Sequence, residues 1–235
     1  MKAFLICILS ICLPVVAYGQ SVTAGKNDEA LEVQQSKRDR NSFALAFNKG
    51  GFDNVQLNQL SNGTLTEFNF YSTYLREDRT MYVYVPACTD TAGCEDKRYP
   101  VIYFLHSSGF GQYGLTDLRV LAGFGSIILD NLIAQNSIRP MIVVFPDGSE
   151  PHFGGSFYTD SELYGPFEGH IVNEVVDIVQ RNFPARQNRM RRGVMGPSMG
   201  GYGAMKIALN PTHNYKYRAV ASHSAPLDIA STCYQ

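Results

Sequence analysis

Four compact apolar runs set the tightest limit on what this chain can fold into: "PVIYFLHSSG", "PMIVVFPDG", "RRGVMGPSMGG" and "RAVASHSAP". None alternates between apolar and polar residues, and each closes in turn formers. Runs of that kind suit strands buried on both faces, which is how parallel strands behave. Between them lie stretches striped for helix. "SIILDNLIAQN" carries Ile127, Ile128, Leu132 and Ile133, and "FEGHIVNEVVDIVQRNF" carries Ile171, Val175, Ile178 and Val179. Strand and helix therefore alternate, predicting an α/β fold whose mostly parallel sheet is covered on both faces through right-handed connections. Upstream, "TLTEFNFYS" and "RTMYVYVPA" are aromatic and β-branched and flank the charged segment "REDR", which predicts an antiparallel N-terminal hairpin turning at those charges.

With 235 residues and a hydrophobic fraction of 45%, one folded unit is enough. A net charge of −1 lacks the concentrated positive face that nucleic acid requires, so no nucleic-acid partner is expected. The cluster Arg186, Arg189, Arg191 and Arg192 reads as a solvated loop. At the start, "MKAFLICILSICLPVVAYG" places Lys2 before an apolar run and the small residues Ala17 and Gly19 after it, the layout of a signal peptide over residues 1–19. That run is shorter than the roughly 20 residues of a spanning helix, so the expectation is a secreted or periplasmic protein with no membrane attachment after cleavage. Residues 20–55 are polar and read as a flexible mature N-terminus, leaving 56–235 for the folded domain. Removal of the signal takes away Cys7 and Cys12. Of the remainder, Cys88 and Cys94 bracket a turn-rich loop suited to a small disulfide, and Cys233 is left over.

In a parallel sheet functional groups gather at the carboxyl ends of the strands, here the loops beginning at His106, Pro146, Gly196 and Ser222. One of these holds "GVMGPSMGGYGAM", in which Ser198 stands between Gly196 and Gly200 with a strand before it and a helix after. Such a turn forces its central residue into a strained conformation, and glycine on either side avoids collision with the neighbouring strand and helix. Ser198 is the candidate nucleophile. The amide of Met199 would sit unpaired at a helix N-terminus, able to meet a developing oxyanion, and Ser108 is the candidate second donor, with Gly109 the alternative. A dinucleotide motif is also matched by Gly109, Gly111 and Gly114 in "GFGQYG", but "HSS" separates it from the strand and Asp147 lies too far on for the ribose-binding acid. No cofactor is expected, and no metal, since His152, His170, Cys88 and Cys94 lack ligand spacing. Phe153, Phe157 and Tyr158 in "PHFGGSFYTD" are placed to line a pocket or equally to pack their loop.

The order "TEFNFYS", "RTMYVYVP", "YPVIYFLH", "VVFPDG", "FEGHIVNEVVDIVQRNFP", "GPSMGGYGAMKIAL" and "SHSAPLD" resembles the esterase D, or putative esterase, family of α/β-hydrolases. That family includes feruloyl and other acyl-sugar esterases, enterochelin-type esterases, S-formylglutathione hydrolases and the mycolyltransferases of the antigen 85 type. The resemblance covers the chain from about residue 63 onward. It implies Ser198 as nucleophile, the Met199 and Ser108 amides as oxyanion donors and a small ester as substrate, an acylated sugar or feruloyl ester among them. Ser107 departs from the glycine that many relatives carry after the histidine. The family's order of serine, acid, histidine departs further: after Ser198 come only Asp228, His213 and His223, with both histidines ahead of the acid. The expectation is therefore a chain cut before its C-terminal strands, catalytic acid and histidine, with little activity of its own. His223 is read as a wall of the site and His213 as a surface residue. A non-catalytic binding protein on the same scaffold, or an acyltransferase, remains open.

Overall fold

A computed structural model describes residues 63–88, 93–108, 115–150 and 155–228. Residues 1–19, read as a signal peptide, residues 20–55, His152, Phe153, Cys233 and the glycines Gly109, Gly111 and Gly114 lie outside the described residues. The chain divides into two units, one of residues 62–126 and 139–235, the other of Met1–Ser61 and Ile127–Ile138. In the second, only Ile127–Ile138, the end of helix α1 and the turn after it, is described.

The sheet belongs to the first unit. Its strands are β1 (Thr64–Ser72), β2 (Glu77–Val85), β3 (Val101–Phe104), β4 (Ile142–Pro146), β7 (Arg192–Pro197) and β8 (Ala219–His223), arranged in the order β1-β2-β4-β3-β7-β8. A separate two-stranded ribbon pairs β5 (Asp160–Ser161) with β6 (Gly165–Pro166). β1 pairs antiparallel with β2 and β2 antiparallel with β4, whereas β4, β3, β7 and β8 are mutually parallel. Helix α1 (Leu115–Ala134) follows β3. A continuous helical stretch follows β6: α2 (Phe167–Gly169), a π-helical segment (His170–Val175) and α3 (Val176–Asn182). Helix α4 (Met199–Leu209) follows β7.

The absence of alternation in the apolar runs has a direct cause. Successive side chains of a strand point to opposite faces, and here both faces are packed. Met81, Val83, Ile142, Val144 and Val194 join the core that also holds Ile171, Val175, Val179 and Ile207. Phe104 and Phe145 pair on the other side, ring centres 5.6 Å apart, and a Cβ built on Gly125 of α1 would come 2.9 Å from the Phe145 ring. Accordingly every residue of β4 and β7 is buried. β8, at the sheet edge, is not, and Val220 is 39% exposed.

The hairpin forms as expected, but of "REDR" only Arg76 falls in its turn. The turn lies at Thr73–Arg76, where Arg76 adopts a left-handed φ of 59° and its N–H donates to Ser72 O at 2.8 Å. Glu77, Asp78 and Arg79 continue the strand opposite Ser72, Tyr71 and Phe70. A buried Arg79 is tolerated there because its guanidinium donates to Asp147 Oδ2 (3.2 Å) and Ser149 O (3.0 Å), bonds Glu77 and lies 5.1 Å over the Phe167 ring. A second buried charge, Glu168, ties α2 to the end of α4 by accepting from Lys206 and from Asn210 Nδ2 at 2.7 Å. Cys88 and Cys94 form a disulfide with Cα atoms 5.9 Å apart, as the sequence allowed. Among the described residues no helix is long and apolar enough to cross a membrane.

Candidate active site

The site begins where β7 ends. Pro197 is the last strand residue, Met199 the first of α4, and Ser198 alone turns the chain between them with φ 50° and ψ −121°. For a residue with a Cβ this conformation costs on the order of 1–3 kcal/mol and persists only where the surroundings dictate it. Here they do. The Ser198 N–H donates to His223 O on β8 at 2.9 Å, and Ser198 O accepts from the Tyr202 N–H at 2.9 Å. On either side the chain is pressed against the backbone just after β3. A Cβ built on Gly200 would lie 2.5 Å from the Leu105 carbonyl carbon and 2.8 Å from His106 O, and one on Gly196 would lie 2.7 Å from the Gly200 carbonyl carbon. Only glycine fits at both places. The Ser198 side chain makes no capping bond to the helix it precedes, and the residue is partly exposed. The Met199 N–H is the first of the helix, one of the donors that no intrahelical carbonyl can satisfy.

The loop after β3 passes directly over this turn. Leu105 N–H extends the pairing with β7 by donating to Met195 O at 2.8 Å, and the Ser107 hydroxyl stands 3.5 Å from Pro197 O. Ser108 is exposed. Gly155, with φ 148°, marks where it approaches the helix start: a Cβ there would meet the Met199 thioether, its Cε at 3.2 Å, and would lie 3.6 Å from the Ser108 Cα. Gly155 thus stands beside both the Met199 side chain and the Ser108 backbone. Gly109, the alternative donor, lies outside the described residues.

Behind the loop stands a polar cluster around His106. His106 is 1% exposed. Its Nδ1–H donates to Ser107 O (2.8 Å), its Nε2 accepts from the Gly148 N–H (2.9 Å), and Asp147 Oδ1 lies 3.8 Å from Nε2. Burial pushes the His106 pKa below the ordinary imidazole value, against the opposing pull of Asp147. Tyr158, left open between pocket lining and packing, proves to be packing. It is fully buried, its ring fills the notch between Gly148 and Gly203, and its hydroxyl donates to His106 O at 3.1 Å. Phe157 and Tyr158 are consecutive left-handed residues, φ 51° and 52°, and Phe157 meets Tyr202 edge-on at 5.9 Å.

The remaining histidines are accounted for separately. His223 pairs in register with Pro197, and its ring bonds Ser224 Oγ at 2.9 Å. His213 stands 3.6 Å from Glu168 at the far end of α4. His170 is buried in the π-helical segment, where its Nδ1–H donates to Glu174 Oε2 at 2.8 Å and its ring stacks on Phe70. Burial lowers its pKa, with Glu174 opposing. The same carboxylate accepts from Ser72 Oγ and from the Thr73 N–H and hydroxyl, fastening the hairpin turn. The i,i+4 spacing of His170 and Glu174 was the available sequence signal for this contact. Among the described residues no group of three His, Cys, Asp or Glu side chains is placed to hold a metal.

Comparison with known proteins agrees with this architecture. An endo-1,4-beta-xylanase/feruloyl esterase of Xylanibacter ruminicola is 27% identical over 168 residues, covering 69% of this chain and 22% of that protein. An acetyl esterase of Caldicellulosiruptor saccharolyticus is 28% identical over 156 residues, 64% of this chain and 53% of its own length. The chain thus spans about half or less of these relatives. A solved ferulic acid esterase superposes with a TM-score of 0.59 at 23% identity, covering 71% of this chain and 59% of that one, a likeness of fold. A family model described as "Putative esterase" matches residues 72–234. With the strand order, the hairpin and the glycine-flanked turn already in place, the chain belongs to that esterase family and has the α/β-hydrolase fold.

Proposed function

We propose that this chain carries the nucleophile and oxyanion site of a serine carboxylic-ester hydrolase. The observation that supports the reading most is the strained, partly exposed Ser198 at the junction of β7 and α4. Ser198 Oγ attacks the ester carbonyl, and the negative charge that forms on the carbonyl oxygen is met by the amides of Met199 and Ser108. Loss of the alcohol leaves an acyl group on Ser198, which water then removes. Attack requires a general base, and we assign that histidine, with the acid that orients it, to residues outside the described ones. His106 cannot serve, because both its ring nitrogens are engaged in the interior. The apolar N-terminal run and the Cys88–Cys94 bridge support export to an oxidising compartment. The named activities of the relatives, feruloyl esterase and acetyl esterase, support an acylated sugar or feruloyl ester as substrate.

The test is turnover by the protein as encoded, with whatever coding sequence adjoins this chain. Hydrolysis of p-nitrophenyl acetate, methyl ferulate and acetylated xylose is compared between the native protein and Ser198→Ala. The proposal requires that the substitution abolish hydrolysis, and equal rates would overturn it.

A further inference from the structure

An oxyanion donor on a short loop is only as effective as whatever holds the loop still. Three loops meet behind Ser108: residues 105–108 after β3, 147–150 after β4, and 155–158. His106 contacts all three. Its Nδ1 faces a carbonyl, Ser107 O at 2.8 Å, so Nδ1 must carry a proton. Its Nε2 faces a donor, the Gly148 N–H at 2.9 Å, so Nε2 must be bare. Its own carbonyl accepts from the Tyr158 hydroxyl at 3.1 Å, and the two rings meet edge-on at 5.8 Å. The ring is thus neutral and fixed in one tautomer by its partners.

The partner loop is braced in turn. Asp147 Oδ1 accepts from the Ser149 N–H (2.9 Å) and hydroxyl (2.5 Å), and Oδ2 accepts from Arg79 (3.2 Å), which also holds Ser149 O. Gly148 O accepts from Ser156 Oγ at 2.6 Å. The Gly148 N–H is aimed at His106 by side chains from β2, the 147–150 loop and the 155–158 loop together.

We propose that His106 is a positioning residue of the ester-cleaving site: as the neutral Nδ1–H tautomer it pins the Ser107–Ser108 backbone to Gly148, holding the Ser108 amide beside Met199 for the oxyanion. This rests on the reading of Ser198 and Ser108 given above. Among the described residues, Asp147, Arg79 behind it, and Tyr158 are charged or titratable groups that face the ring. A proton on Nε2 would turn an acceptor into a donor, release the Gly148 N–H and draw the ring toward Asp147. Burial opposes that proton.

Three variants of the encoded protein decide the matter, with steady-state hydrolysis of p-nitrophenyl acetate and ¹⁵N imidazole shifts as readouts. His106→Leu cannot accept the Gly148 N–H and is expected to lower kcat roughly 10²-fold, the scale of a lost oxyanion donor, with KM within about twofold. His106→Gln offers a carbonyl to Gly148 and is expected to recover most of that loss. Ser198→Ala is run alongside. Unchanged hydrolysis there overturns the reading of the site, whereas abolished hydrolysis there with unchanged kcat in His106→Leu overturns this proposal alone. A Gln variant no better than Leu also overturns it. Should His106→Leu fail to fold, the native ¹⁵N spectrum decides: a protonated Nδ1 with a bare Nε2 at neutral pH supports the pin, and the other tautomer or an imidazolium contradicts it.

Discussion

The two backbone segments that converge at the candidate site are held by opposite means. The turn at Ser198 is fixed by close approach: Gly196 and Gly200 leave no room for a side chain, and backbone bonds to His223 and Tyr202 clamp the residue between them. The loop at Ser108 is fixed by side chains, through His106, Tyr158, Asp147 and Arg79 acting across three loops. The first kind of constraint tolerates no added atom but is indifferent to protons. The second tolerates added bulk at its periphery but depends on every donor and acceptor staying in its protonation state. On the proposed reading, a site built from both unites a rigid nucleophile with an oxyanion donor whose position can be tuned.

Several substitutions separate the two means. Gly200→Ala should have the largest effect, because the new methyl meets backbone that cannot rotate away. A loss of about 3 kcal/mol or more in urea unfolding is expected, or failure to fold. Acid should strike the other half. His106 and His170 are held neutral in the folded protein with pKa values below the ordinary 6.5, so the unfolded chain takes up protons first as pH falls. Stability is therefore full above the ordinary histidine value and declines as pH drops below it toward the depressed values. Urea midpoints measured across that range check the sign, and the Gly148 amide, bonded to His106, should lose protection from hydrogen exchange before the Ser198 amide, bonded to His223 O, does. Tyr158→Phe leaves the buried His106 carbonyl without its donor and should cost roughly 1–2 kcal/mol, read in the same assay. The smallest effect runs the other way: Ser198→Gly removes the left-handed strain and should raise stability by about 1 kcal/mol while abolishing ester hydrolysis.

The contrast also explains what could be read from the sequence. Contacts fixed by close approach are local, so they leave a local trace. The glycines around Ser198 and the non-alternating runs of β4 and β7 are required by what lies directly against them, and both were legible. Contacts fixed by side chains join distant parts of the chain. "REDR" reads as a turn because three charges in a strand look unsatisfied, yet Arg79 finds Asp147 and Phe167, far along the chain, and the turn moves back to Thr73–Arg76. Tyr158 gave no sign whether it faced substrate or core, since what decides the matter is the notch left by Gly148 and Gly203. His106 was visible only as the residue where a strand ends. Its role appears once the Gly148 N–H is seen to stand opposite Nε2, a meeting set by the order of β3 and β4 in the sheet.

The most direct test of the central claim is covalent trapping. The protein as encoded, incubated with a fluorophosphonate and digested, should carry a single adduct on the peptide containing Ser198, and Ser198→Ala should carry none. An adduct of equal yield in the Ser198→Ala protein, or one mapped to a different serine while ester hydrolysis persists, would contradict the account.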